Sequence, residues 1–165
     1  MPTMYAASVG VFTKMLTNLA AILDKTQAFA DEKKFKADTL VGQRLIWDML
    51  PLSFQIQNCT DHAKGAAARL AGRELPSWPD NEATFADLRA RVQKALDFLA
   101  TIKPEDVNGS EDREMVLTYR GNETRMRGED MLFNRSLPNF WFHYTTAYDI
   151  LRSNGVPIGK RDFTG

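Results

Sequence analysis

Leu45-Ile46-Trp47-Asp48-Met49-Leu50-Pro51-Leu52-Ser53-Phe54-Gln55-Ile56-Gln57-Asn58-Cys59-Thr60-Asp61-His62-Ala63-Lys64-Gly65-Ala66-Ala67-Ala68-Arg69-Leu70 decides the fold. Within it Leu45, Met49, Leu52, Ile56, Cys59, Ala63, Ala66 and Leu70 recur in steps of four and three, the period of one helix face. The spacing predicts a long amphipathic helix opening after Asp38-Thr39, a plausible N-cap, and stopping at Ala71-Gly72. Pro51 falls inside that pattern and predicts a kink, because its ring removes a backbone donor and collides with the carbonyl of Trp47. Small residues from Gly65 to Ala68 predict a close neighbour.

Three further segments share this period. Val9, Phe12, Leu16, Leu19 and Leu23 mark a first helix over about residues 4–31. Phe85, Leu88, Val92, Leu96 and Leu99 mark a third, ended by Lys103-Pro104, with Arg89, Arg91, Lys94 and Asp97 on its solvated side. The fourth opens at Gly128-Glu129-Asp130, carries Pro138 well inside, and stops at Asn154-Gly155. Between the third and fourth the period drops to two. Met115–Tyr119 and Glu123–Arg127 flank Arg120-Gly121-Asn122 and read as a small β-hairpin. The tail Gly159-Lys160-Arg161-Asp162-Phe163 reads as an arm packed back on the domain, anchored by Phe163. Four long amphipathic helices with wide apolar stripes make an all-α bundle, in one domain over residues 1–165.

Composition narrows the function. Lys and Arg total 21 against 21 Asp and Glu, so no basic excess argues for nucleic acid. Thr13, Lys14, Thr17 and Asn18 interrupt the N-terminal pattern, which excludes a signal peptide, and no continuous apolar run argues for a membrane span. Cys59 is the lone cysteine and falls on the core stripe, so it reads as a buried hydrophobe in a reducing compartment. The expected location is cytoplasmic.

Chemistry concentrates beside the prolines. Asp48, Gln55 and His62 repeat every seven residues along the flank of the second helix, while Asn139 and His143 lie one turn apart on the fourth. With a rise of about 1.5 Å per residue, antiparallel second and fourth helices would bring Asp48 and His143 to one level, roughly 15 Å from one end of the bundle. The expected pocket comprises Asp48, Gln55, Asn139, His143 and Tyr144, with a small molecule as ligand; the alternative is a purely structural Asp–His pair in an interaction dimer that binds no ligand. His62 falls near the opposite end on this reckoning, so the two histidines should not meet. Phe140, Trp141, Phe142, Tyr144 and Tyr148 surround the fourth helix, which predicts either a central place in the bundle or a second covering from the hairpin or from a partner chain.

Several phrases resemble a known family. Phe142-His143-Tyr144-Thr145-Thr146-Ala147-Tyr148-Asp149-Ile150-Leu151-Arg152 looks like the closing helix of the DinB-like four-helix-bundle superfamily. Met4–Val9, Asp48-Met49-Leu50-Pro51-Leu52, Ala68-Arg69-Leu70-Ala71-Gly72, Leu137-Pro138-Asn139-Phe140 and Gly159–Phe163 resemble its branch called domain of unknown function nineteen ninety-three. The resemblance implies an up-down-down-up bundle and a homodimer. For the wider superfamily it implies a divalent metal, nickel or zinc, held by one histidine of the second helix and a His-x-x-x-His pair of the fourth, in thiol transferases or hydrolase-like enzymes. Asn139 stands where the first histidine of that pair would be, and Asp48 or Gln55 where the second helix would supply one. These residues therefore predict a polar pocket with no resident metal.

Overall fold

The computed structural model describes residues 2–119 and 121–165. Helix α1 (Val11–Lys33) continues from a π-helical turn at Ala6–Gly10, and is followed by α2 (Leu52–Leu70) and α3 (Phe85–Ala100). A short α4 (Pro104–Val107) leads to strands β1 (Glu114–Tyr119) and β2 (Asn122–Arg127), paired antiparallel with Met115 opposite Met126. Arg120, in the expected turn, lies outside the described residues. Then α5 (Gly128–Met131), a π-helical turn (Leu132–Ser136) and α6 (Leu137–Ser153) run on as one rod, and α7 (Lys160–Thr164) closes the chain.

The helix directions follow from contacts at their ends. At one end the Phe85 amide, starting α3, donates to Asp38 Oδ1 at 2.8 Å, while the Ser53 amide of α2 donates to the Val41 carbonyl at 3.1 Å. Helices α2 and α3 therefore start together and run parallel. Arg89 of α3 pairs with Asp24, late in α1, at 2.8 Å, which sets α1 against them. Gln55 of α2 meets His143 of α6, whereas Arg69 and Arg135 share a cleft further along, so α6 is antiparallel to α2. The bundle is up-down-down-up, with the hairpin between its third and fourth rods.

Its core holds Phe12, Leu16, Leu19 and Leu23 of α1, Ile56, Cys59, Ala63 and Leu70 of α2, Leu88 and Val92 of α3, and Phe140 and Tyr144 of α6. Burial holds the Cys59 thiol well above its ordinary pKa, as suits a packing residue. The first helix, Ala6–Lys33, is long and apolar enough to cross a membrane, with mean hydropathy 1.5 over its best window. Half of that window is buried against the other helices.

Helix α2 starts at Leu52, three turns past the opening after Asp38-Thr39 that the spacing predicts. Pro51 does not kink it. Pro51 is its N-cap, in extended conformation (φ −71°, ψ 172°), and the residue before a proline avoids the helical region. The first-turn amides of Leu52 and Ser53 then find loop carbonyls, Gln43 at 2.8 Å and Val41 at 3.1 Å. Asp38 turns instead to the start of α3, where Thr84 and Asp87 add a reciprocal capping box. Leu45, Ile46, Trp47 and Leu50 consequently sit exposed in a loop, Trp47 by 83%.

Pro138 meets a different solution. The chain widens into the π turn just ahead of it, where the Leu137 amide bonds the Leu132 carbonyl, and Pro138 enters the first turn of α6. The tail, rather than the hairpin, covers the Trp141–Tyr148 side of α6. Phe163 packs on Trp141, Tyr144 and Tyr148 with ring centroids 6.2, 4.7 and 5.5 Å away, and the Tyr144 hydroxyl donates to its carbonyl at 3.2 Å.

Candidate functional site

Gln55, His62 and Arg69 lie at heptad spacing on one flank of α2, and α6 crosses them in the opposite direction. The Gln55 amide is oriented at both ends. Its Nε2 donates to the Leu50 carbonyl at 2.9 Å, so its Oε1 faces His143 Nδ1 at 2.8 Å. That nitrogen must carry the proton, which leaves Nε2 of His143 with the lone pair. The His143 ring stacks on His62 at 5.6 Å and 13°, with Phe54 and Phe142 edge-on at 5.9 and 5.3 Å.

The two imidazoles are neutral near pH 7. Burial and the neighbouring His143 push His62 down to about 4, against the opposing pull of Asp61. Burial lowers His143 as well.

Above His62 opens a cleft of about 390 Å³. Its floor is α2, its far wall Arg135 and Ser136 in the π turn, and its near wall the segment Leu75–Trp78. That segment is strapped down by a buried charge cluster. Arg91, expected on the solvated side of α3, has a side chain only 2% exposed. Its Nη1 donates to the Pro79 carbonyl and to Glu82 Oε1, each at 2.9 Å, its Nη2 pairs with Asp61 at 2.9 Å, and its Nε donates to Thr60 at 3.1 Å. Glu82 also accepts from Gln57 at 2.8 Å. Lys64 pairs with Asp61 at 2.7 Å and lies 4.0 Å from the centre of the Trp78 ring.

The structure brings Gln55 and His143 together and separates the other expected site residues. Asp48 is exposed in the loop before α2, because the helix that would have carried it begins later. Asn139 is exposed and donates to the Arg135 carbonyl of its own rod at 2.7 Å. Tyr144 is fully buried in the core against the tail. His143 meets Gln55 and His62 rather than Asp48, one heptad further along α2, and the two histidines, expected at opposite ends, stack on each other. Arg69, Arg135 and Ser136 were missed. Extending the seven-residue series from His62 by one step reaches Arg69, and two turns back from His143 reaches Arg135.

A divalent transition metal does not fit these donors. Parallel stacked imidazoles aim their lone pairs past each other, and Gln55 offers only an amide oxygen already facing a ring N–H. No group of three or more His, Cys, Asp or Glu side chains among the described residues is placed to hold an ion.

The sequence matches the family described as domain of unknown function DUF1993 over residues 4–164. The chain belongs to the DUF1993 family. This DUF1993 chain is similar to a crystal structure described as a DinB family member protein from Shewanella denitrificans, at 38% identity and TM-score 0.87. The likeness covers 98% of this chain and 91% of that one. No curated protein matches.

Proposed function

We propose that this DUF1993 protein binds a small molecule in the cleft between α2, the π turn before α6 and the Leu75–Trp78 strap. One observation carries the reading: a neutral, half-buried His62, backed by His143 and Gln55, faces a cleft of about 390 Å³, within the usual range for small-molecule sites. Binding is favoured over acid–base catalysis, since a base with a pKa of about 4 is poorly matched to neutral pH. A metal-dependent transferase finds no support in the donor set.

Thermal shift against a chemically diverse small-molecule collection tests the proposal. A compound at a hundred times its Kd should stabilise by about 2.7 kcal/mol, or roughly 5–10 °C in Tm. His62→Leu should abolish that shift while the variant still unfolds cooperatively. A collection without a single saturable hit, or hits indifferent to His62→Leu, would sink the reading.

We also propose that the protein is a homodimer joined through the apolar loop before α2. Leu45, Ile46, Trp47 and Leu50 are exposed there, and Phe142, edge-on to His143 and 55% exposed, lies towards the same end. A second copy suits this patch because a net charge of zero places no long-range repulsion between copies. Light scattering should give twice the chain mass of 18.7 kDa, and Trp47→Ser should shift it towards the monomer. A monomer at all accessible concentrations would refute the dimer.

A further inference from the structure

Among the described residues, Arg69 and Arg135 are the two cations of this cleft whose charge no carboxylate answers. Every other buried or half-buried cation nearby is matched, Arg91 by Asp61, Asp80 and Glu82, and Lys64 by Asp61. Arg69 and Arg135 line the same cavity from opposite helices, and neither guanidinium has an ion-pair or hydrogen-bond partner among the described residues. The two are close enough that Arg135, after burial, is the next cause lowering the Arg69 pKa.

The helix makes room for this arrangement. Arg69 Nη1 lies 2.8 Å from where a β-carbon on Gly65 would stand, so the bare glycine lets the guanidinium fold back over α2 towards the cleft. Ser136 is 6% exposed, lines the cavity, and its hydroxyl has no partner among the described residues. Two like charges held together, half out of water, are unfavourable without a counter-charge. An anion between them relieves the repulsion, and the Ser136 hydroxyl on the same wall can donate to it.

We propose that Arg69 and Arg135 hold the phosphate dianion of a small phosphate-bearing molecule, with Ser136 donating to it and the apolar strap beside its organic body. The assignment rests on the cleft being a ligand site, as proposed above, and adds the ligand's chemical class. Two guanidiniums beside a neutral His62 supply two positive charges, which match a phosphate monoester or free phosphate in charge and in bidentate geometry. The cavity exceeds the size of phosphate itself, and Leu75, Pro76 and Trp78 offer apolar surface for a carbon skeleton.

The experiment uses full-length protein in a phosphate-free buffer at constant ionic strength, titrated with inorganic phosphate, phenyl phosphate or acetate. Tm and the ring signals of His62 are followed. Both phosphates should raise Tm saturably, phenyl phosphate at a concentration at least tenfold lower, with acetate far weaker. The bound dianion should also move the His62 titration to higher pH. Arg69→Gln and Arg135→Gln should each weaken phenyl phosphate at least tenfold, and each should leave the ligand-free Tm unchanged or raised, since a repulsion is removed. Arg69→Lys should retain part of the affinity.

Equal responses of the wild type and both Gln variants would overturn the assignment, as would acetate matching phenyl phosphate. A lowered ligand-free Tm in the Gln variants would do the same, because it would show the arginines to be structural. A neutral compound that binds through His62 and ignores both arginine variants would overturn the anion assignment while leaving the cleft as a ligand site. Tighter binding of inorganic phosphate than of phenyl phosphate would assign the site to the free ion and overturn the monoester.

Discussion

Replacing Arg91 with alanine is expected to destabilise the protein by about 3–5 kcal/mol, the range for removing one partner of a buried ion pair. In a chain of this size that corresponds to a fall in Tm of roughly 10 °C. The guanidinium is 2% exposed and every nitrogen is engaged, so truncation abandons Glu82, itself only 9% exposed, to a single bond from Gln57. It also releases the Pro79 carbonyl, and with it the strap that walls the cleft. Ligand affinity should therefore fall together with stability. Arg91→Met combined with Glu82→Gln should recover much of the stability, because an apolar chain in place of the cation no longer strands a charge. Chemical denaturation of the three proteins measures this. A loss below about 1 kcal/mol for Arg91→Ala, the size of an exposed pair, would contradict it.

Stability should also fall as the medium is acidified below about pH 6.5, in a part that His62→Leu removes. The folded protein holds His62 near 4, below its ordinary value of 6.5, because burial and His143 disfavour the charged ring. Above 6.5 the ring is neutral in both states and its contribution is complete. Below that the unfolded chain takes up a proton that the folded chain refuses, so stability declines until about pH 4 and then levels. The full loss is on the order of 3 kcal/mol. His143 is lowered too and is present in both proteins, so the difference between wild type and His62→Leu reports His62 together with its repulsion of His143. Parallel stability profiles for the two between pH 4 and 6.5 would contradict the prediction.

Much of the bundle was legible because burial on a helix leaves a period. The core stripes of α1 and α3 fall where their spacing puts them, as does the half of α2 from Leu52 to Leu70. The hairpin was legible for the same reason at a period of two, with Met115 and Leu117 buried and Val116 exposed. Where a stripe continued past a structural break, the reading failed. Leu45 and Met49 keep the spacing of α2, but period alone does not register that Leu50, preceding a proline, avoids the helical region. That single shift moved Asp48 into solvent and replaced it beside His143 with Gln55 and His62.

Charge was harder to place than apolarity. Arg91 carries no mark that separates it from Arg89 two residues earlier. One is sealed among Asp61, Asp80 and Glu82, and the other reaches an exposed Asp24. What buries Arg91 is the strap laid over α3 by residues 75–82, a contact made between segments far from each other in helical phase.

The amino-acid order by itself determined four rods, their apolar faces, the hairpin and the anchoring role of Phe163, since each depends on local periodicity or on one aromatic side chain needing cover. Only the packed molecule decided where α2 begins, which imidazoles stack, and that Arg69 and Arg135 converge on one cleft. Those outcomes depend on how far one helix slides along another, and sliding by a heptad preserves every face while exchanging every neighbour.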